Sequence, residues 1–227
     1  MDEARQAARA AYRQQIQQLR DDTMAMASMV DKAIARSMSA LQRQDTALAR
    51  TVIEGDTAIN RQRWDIEERA LLIIATQAPM ASDLRTIAAV IHIVTDLERM
   101  ADHAAGNAKI AIETALEPLL KPLVDLPRMS DLARAMLADS ITAFFAADAE
   151  AARALVARDD EVDALYDQVY RELLTFMLAD PTTIARATHL LWAAHNFERI
   201  ADRATNICER VVFAVTGNLE EMAVSSY

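Results

Sequence analysis

A series of mostly apolar residues, spaced three and four positions apart, extends from Tyr12 to Leu41. That spacing places them along one face of an α-helix, and a helix of thirty residues is about 45 Å long. Helix breakers are scarce, since the 227 residues include only 3 glycines and 5 prolines. Residues that lose little freedom in a helix fill most other positions, so the sequence predicts an all-α protein of long helices.

Prolines and turn residues divide the rest of the chain. A second helix is predicted over 45–77, before Pro79, and a third is predicted to start with Ser82 as its cap and to fade near Pro118. Residues 118–130 contain three of the five prolines and are predicted to be a linker. Beyond it, helices are predicted over 131–146 and 147–178, and a last one between Asp180 and Gly217. The predicted domains are therefore 1–117 and 131–217, joined by 118–130.

The two halves carry an internal repeat. The segment Glu98-Arg-Met-Ala-Asp102 recurs 100 residues later as Glu198-Arg-Ile-Ala-Asp202, and Gly55-Asp56 corresponds to Arg158-Asp159, 103 residues later. Matches at corresponding places of both halves indicate duplication. The sequence thus predicts two tandem three-helix bundles.

The repeated segments bring acidic residues together. Glu98 and Asp102 lie one helical turn apart, as do Glu198 and Asp202, so each pair shares a helix face. Antiparallel pairing of the second and third helices of each half predicts two clusters of oxygen-bearing side chains. We call them the first acidic box (Asp56, Asn60, Glu98 and Asp102) and the second acidic box (Asp159, Asp163, Glu198 and Asp202). The carboxylates do not lie on the apolar stripe of their helices. They are expected on the flank or far side, outside the packed seam.

Oxygen-only clusters suit hard cations such as Mg, Mn and Ca, and also Fe, whereas the His and Cys ligands usual for Zn are missing. One alternative is a structural scaffold whose acidic faces are solvated and balanced by Arg99, Arg199 and Arg203. Another is a carboxylate-bridged metalloenzyme, which would need an open coordination position and a general base. No nucleophile–base pair is readable in the sequence, so we do not expect an enzyme.

Charge and motifs narrow the class of partner. A formal net charge of -10 argues against nucleic acid as a binding partner. Neither of the phosphate-binding motifs GxxxxGK[ST] and GxGxxG occurs, so an ATPase or a dinucleotide-binding enzyme is not expected. No apolar run is long enough to cross a membrane, and the polar first twenty residues do not resemble a secretory signal. The single cysteine, Cys208, fits a reducing compartment, so a cytoplasmic location is expected.

The ordered motifs resemble those of the PhoU family. In the first half they are the stretch from Val52 to Asn60, Ala81-Ser-Asp-Leu-Arg85, and Leu97-Glu-Arg-Met-Ala-Asp102. In the second half they are Val156-Ala-Arg-Asp159 with Val162-Asp163, and the stretch from Phe197 to Glu209. The resemblance extends from about residue 10 to about residue 216, in the family's order.

This resemblance implies tandem three-helix bundles with pseudo-twofold symmetry, often as a homodimer. It implies a negative regulator of phosphate uptake and of the phosphate-starvation response. Its implied partners are the ATPase of the phosphate ABC transporter (PstB-like) and a membrane sensor histidine kinase (PhoR-like). Family members hold iron or zinc, or magnesium or manganese, in clusters. Carried over to this chain, the implied metal ligands are Glu98, Asp102, Glu198 and Asp202, with Asp56, Asp159 and Asp163 as neighbours.

The chain departs from the family pattern at three positions. Ala101 and Ala201 stand where the family usually has glycine, and alanine should leave the ligands undisturbed because it is the better helix former. Asn60 replaces a carboxylate, so the first acidic box carries less charge. The second acidic box is therefore expected to bind metal more tightly.

Overall fold

The computed structural model describes residues 2–220 and 222, with the side chains of residues 2–5, 7 and 8 left aside. Within this range the regular structure is helical, which confirms the all-α class. The helices are α1 (Asp2–Arg43), α2 (Thr46–Gln77), α3 (Ser82–Thr114), α4 (Asp125–Ala146), α5 (Ala149–Val156), α6 (Asp159–Ala179) and α7 (Ile184–Thr216), with a short 3-10 turn at Pro181–Thr183. None of the described helices is both long enough and apolar enough to span a membrane.

The helices form two bundles, and one helix from each, α3 and α7, packs at the centre of the molecule. Helices α1, α2 and α3 pack together, and α4 to α7 form the second bundle. The bundles meet mainly where α3 packs antiparallel against α7. At one end of this contact Arg85 donates from Nε to the Ala214 carbonyl oxygen, 3.3 Å away, and near the other end His189 Nε2 lies 3.5 Å from Glu113 Oε2.

The same turn chemistry joins the first two helices of each repeat. Asp45 caps α2 by accepting a hydrogen bond from the Leu48 amide, and Asp148 caps α5 by accepting one from the Ala151 amide. These caps are 103 residues apart, the offset that already relates Asp56 to Asp159. The repeat read from the sequence therefore extends to the first helix pair of each half.

Two predicted boundaries in the second half are wrong. Helix α4 begins at Asp125, six residues before the predicted start, because Pro127 lies in its first turn, where a missing N–H is tolerated. The predicted helix over 147–178 is two helices that break at Ala157 and Arg158. This break puts Asp159, Asp160 and Glu161 in the first turn of α6, where the helix dipole favours negative charge.

The predicted capping role of Ser82 is also wrong. Ser82 is the first residue of α3, and Ala81 occupies the capping position without a side-chain hydrogen bond. The chain turns here through Ala78 and Ala81, which have φ values of 46° and 48°. The predicted breaks at Asp180 and Gly217 are confirmed. Asp180 accepts hydrogen bonds from Thr182, and Gly217 ends α7 with a φ of 82°.

Candidate functional site

The first acidic box is assembled by the antiparallel packing of α2 and α3. Burial raises the pKa of the Asp56 carboxyl, and the charge of Asp102 across the helix pair raises it further. The pKa of Glu98 is raised by burial first and then by Asp102. Asn60 donates from Nδ2 to Asp56 Oδ2 at 2.9 Å, so its amide is held along its own helix. The three carboxylates therefore share one electrostatic environment.

Arginines line the first acidic box. Arg63 Nη1 lies 3.5 Å from Glu98 Oε1, and Arg99 Nε lies 3.6 Å from Glu98 Oε2. Arg99 Nη1 also lies 3.4 Å from Asp102 Oδ2. The sequence-based expectation included Arg99 but missed Arg63, although Arg63 follows Asn60 by three positions and so shares its helix face.

Among the carboxyls of the two boxes, the one with the largest pKa shift lies in the second acidic box. Burial, followed by the charges of Asp202, Asp163 and Glu198, raises the pKa of Asp159 to about 7. Burial and then Asp202 raise the pKa of Asp163 as well. Helix α7 supplies one close counter-charge, since Arg199 Nη1 lies 2.6 Å from Asp202 Oδ2. Mutual repulsion of this kind is what a bound cation would relieve.

The repeat positions beside the boxes differ in character. Arg63 of the first repeat corresponds to Tyr166 of the second, and Thr95 corresponds to His195. His195 Nδ1 lies 3.2 Å from Glu198 Oε2, and its ring centre is 6.0 Å from that of Tyr166. Burial and the Arg199 cation lower the pKa of His195, which favours the neutral imidazole. The second acidic box thus has a neutral side chain where the first has an arginine.

The burial of the two glutamates contradicts the sequence-based expectation. Glu98 and Glu198 are 9% and 6% exposed, although both were expected outside the packed seam. Glu98 lies against α2, where Arg63 Nη1 is 3.5 Å from Glu98 Oε1, and Glu198 is close enough to Asp159 of α6 to raise the pKa of that carboxyl. An apolar stripe read from one helix cannot reveal which of its polar side chains a neighbouring helix covers.

The donor set suits a cation, although the side chains do not close around a single point. Asp56 Oδ1 and Asp159 Oδ1 are buried and have no hydrogen-bond partner in the described part of the chain. Buried carboxylate oxygens without donors are available to a hard metal ion. Among the described residues, however, no three His, Cys, Asp or Glu side chains converge tightly enough to form a ready-made metal site.

The chain consists of two tandem three-helix repeats, and the middle helix of the second is broken into α5 and α6. Such repeats, each with a carboxylate box between its second and third helices, define a class of duplicated all-α proteins. The PhoU domain model matches this chain twice, at residues 23–111 and 126–211. The chain belongs to the PhoU family, and the sequence-based resemblance is confirmed.

Individual relatives agree with this assignment. The phosphate-specific transport system accessory protein PhoU homolog of Aquifex aeolicus is 41% identical over 185 residues, covering 82% of this chain and 84% of its own. The homolog of the same name from Rhizobium meliloti is 38% identical over 208 residues, covering 91% and 88%. The crystal structure of PhoU from Pseudomonas aeruginosa superposes with a TM-score of 0.87 at 33% identity, covering 91% of this chain and all of that one.

Proposed function

We propose that this chain is a negative regulator of phosphate uptake and of the phosphate-starvation response, acting in the cytoplasm as a homodimeric, metal-binding helical adaptor. The accessory role in phosphate-specific transport named for its relatives supports the phosphate connection. The partners we propose are the ATPase of the phosphate ABC transporter and a sensor histidine kinase. The observation that carries the metal-binding part is the duplicated carboxylate box with buried, unpartnered oxygens in both copies.

The residues that would hold metal are Glu98 and Asp102 in the first acidic box and Glu198 and Asp202 in the second. Asp56, Asp159 and Asp163 would complete the two oxygen-rich sites. Magnesium, manganese or iron fits these ligands best, with zinc as a further candidate. A bound cation would neutralise each box and hold the second and third helices of each repeat together.

Thermal unfolding of chelator-treated protein, with and without added Mn, Mg, Fe or Zn, tests the metal-binding part. We expect a melting temperature that rises with metal concentration, because an ion that binds only the folded state stabilises it. The rise should be lost in the double variant Glu198→Ala, Asp202→Ala. The conservative pair Glu198→Gln, Asp202→Asn controls for lost packing.

A scaffold without metal sites is the second candidate, since arginines already contact Glu98, Asp102 and Asp202. It predicts no change in melting temperature with any of the four ions. That outcome would remove metal binding from the proposal and leave the regulatory role to be judged separately.

The regulatory part is tested by deleting the gene and measuring phosphate-responsive transcription in phosphate-rich medium. We expect transcription to be switched on despite ample phosphate, and to be repressed again by the wild-type gene on a plasmid. Transcription that stays low in the deletion strain would rule out negative regulation.

A further inference from the structure

A groove between α1 and α2 differs in charge from its counterpart in the second repeat. It encloses about 200 Å³ and is lined by Met29, Lys32, Ala33 and Arg36 from α1 and by Thr51, Val52, Gly55, Ala58 and Ile59 from α2. The floor is apolar, since Val52 and Ile59 are buried. Lys32 and Arg36 are exposed and lie one helical turn apart along the edge of the groove. We call this surface the basic groove.

The counterpart is a cavity of about 420 Å³ between α4 and α5. It lies at equivalent positions, because Arg36, Thr51, Val52 and Gly55 correspond, 103 residues later, to Asp139, Ala154, Leu155 and Arg158, all of which line it. There, Arg158 Nη1 lies 2.7 Å from Asp139 Oδ2, so the charge of the arginine is neutralised within the chain.

In the first repeat the same two positions leave the positive charge unbalanced. Arg36 replaces the aspartate and Gly55 replaces the arginine, so the ion pair of the second repeat is absent. Neither Lys32 nor Arg36 makes an ion pair with any residue that the structure describes. A Cβ placed on Gly55 would meet no atom within 4 Å, which leaves the groove open to an approaching chain at that point.

These features match one kind of occupant. The groove runs along α2 from Thr51 to Ile59, a length of about 12 Å at 1.5 Å per residue, or roughly two helical turns. An apolar floor of that length suits the apolar face of an amphipathic helix. The unpaired cations favour acidic residues beside that face, and a small anion would gain nothing from the apolar floor. Nucleic acid is disfavoured by the net charge of -10.

We propose that the basic groove binds an acidic amphipathic helix of a partner protein. This inference rests on the adaptor role proposed above, for which it supplies one docking surface, but it does not depend on metal binding. It also explains the difference between the repeats. The arginine beside the second groove is neutralised within the chain, whereas the cations of the basic groove remain available to a partner.

The test uses the whole protein in the presence of chelator. A display library of helical peptides with a fixed apolar stripe and randomised remaining positions is sorted for binding to the wild-type protein. It is counter-sorted against the variant Arg36→Asp, Gly55→Arg, which copies the Asp139–Arg158 ion pair of the second repeat and keeps Lys32. We expect the enriched peptides to be acidic and their affinity to fall as salt is added. Fluorescence anisotropy should show binding about tenfold or more weaker to that variant.

Two further variants sharpen the result. Lys32→Glu changes only an exposed side chain and should weaken binding while leaving the melting temperature in place. Asp139→Arg, Arg158→Gly, combined with Ala135→Lys at the position equivalent to Lys32, transfers the open, basic arrangement to the second repeat and should add a second peptide site.

The proposal is overturned if the enriched peptides are neutral or basic, if none distinguishes the wild type from the double variant, or if none binds. Sedimentation of the same proteins adds a separate outcome. A wild-type dimer that becomes monomeric in the double variant would make a second copy of this chain the occupant, which also overturns the proposal. All these readouts are independent of the metal and transcription experiments, so the two proposals can fail separately.

Discussion

At the scale of single residues, Asp159 best shows how packing changes chemistry. It lies in the first turn of α6, where the helix dipole should favour its charged form. Burial and four neighbouring carboxylates outweigh that effect and raise its pKa to about 7. The charged form of Asp159 is therefore disfavoured in the metal-free fold.

The variant Asp159→Asn tests whether the pKa of Asp159 is raised in the folded state. In the metal-free protein the folded state holds its proton up to about pH 7, whereas the unfolded chain releases it near pH 4. The unfolded state thus binds fewer protons across this window, so the contribution of Asp159 to stability falls as pH rises from about 4 to 7. We expect the variant to be more stable than wild type by about 1–2 kcal/mol at pH 8, with solvent screening allowed for.

Urea denaturation at a series of pH values measures this difference. The gap between the two proteins should close below about pH 3, where the carboxyl is protonated in both states. Asp160→Asn, next to it but exposed, removes only the weakest of the four charges that raise this pKa and should therefore show a smaller effect. A gap that does not change with pH would contradict the raised pKa.

At the scale of helices, two glycines have opposite roles. Gly55 lies inside α2 with open space around its Cβ position, so its flexibility serves no packing purpose there. Gly217 ends α7 in the left-handed region with a φ of 82°, which other residues adopt at a cost. Helix geometry alone thus predicts different responses to the same substitution.

Gly55→Ala is expected to raise the free energy of unfolding by about 0.5–1 kcal/mol, because alanine loses less freedom in a helix. Gly217→Ala is expected to lower it by about 1 kcal/mol, because the added Cβ strains the left-handed turn. Chemical denaturation of both variants measures the changes. Shifts of the same sign would show that one of the two backbone conformations is misassigned.

At the scale of the whole molecule, polar contacts around the pseudo-twofold axis join α3 to α7. His103 Nδ1 lies 3.2 Å from Asn196 Oδ1, and Asn196 Nδ2 donates to Asn107 Oδ1 at 2.9 Å. At the position related by the pseudo-twofold axis, Arg203 Nη1 lies 3.4 Å from Asp96 Oδ1. Asp96 and Asn196 are repeat equivalents, as are His103 and Arg203. One side of the axis is therefore charged, while burial lowers the pKa of His103 and favours a neutral ring on the other.

Asn196→Ala is expected to destabilise the protein by about 1–3 kcal/mol, because it leaves the buried Asn107 amide oxygen without its donor. Urea denaturation gives the value. The exposed Asn218→Ala serves as control and should stay within about 0.5 kcal/mol of wild type. A double-mutant cycle with Asn107→Ala separates the pair: purely additive effects would mean that the hydrogen bond across the interface contributes little.

Much of this architecture follows from the sequence. Helical periodicity, the breaks at Pro79 and Asp180, and the capping glycine at 217 are local signals, because a helix is defined by neighbours three and four residues apart. The duplicated Glu-x-x-x-Asp segments placed the carboxylates on one face, and hairpin geometry predicted which helices would bring them together. These features need only the chain's own spacing.

The tertiary structure decided what spacing along one helix cannot show. Glu98 and Glu198 are buried because α3 packs against α2 and α7 packs against α6, and spacing along a single helix does not reveal these contacts. The same packing brings Arg63 to one box and places His195 beside the other, and it raises the pKa of Asp159. Burial and electrostatic coupling depend on everything that surrounds a side chain, whereas helix formation depends mainly on its neighbours in sequence. The sequence therefore determined the all-α class, the repeat and the pairing of the carboxylates. Only the fold decided where the helix over 147–178 breaks and which of those carboxylates are buried with raised pKa values.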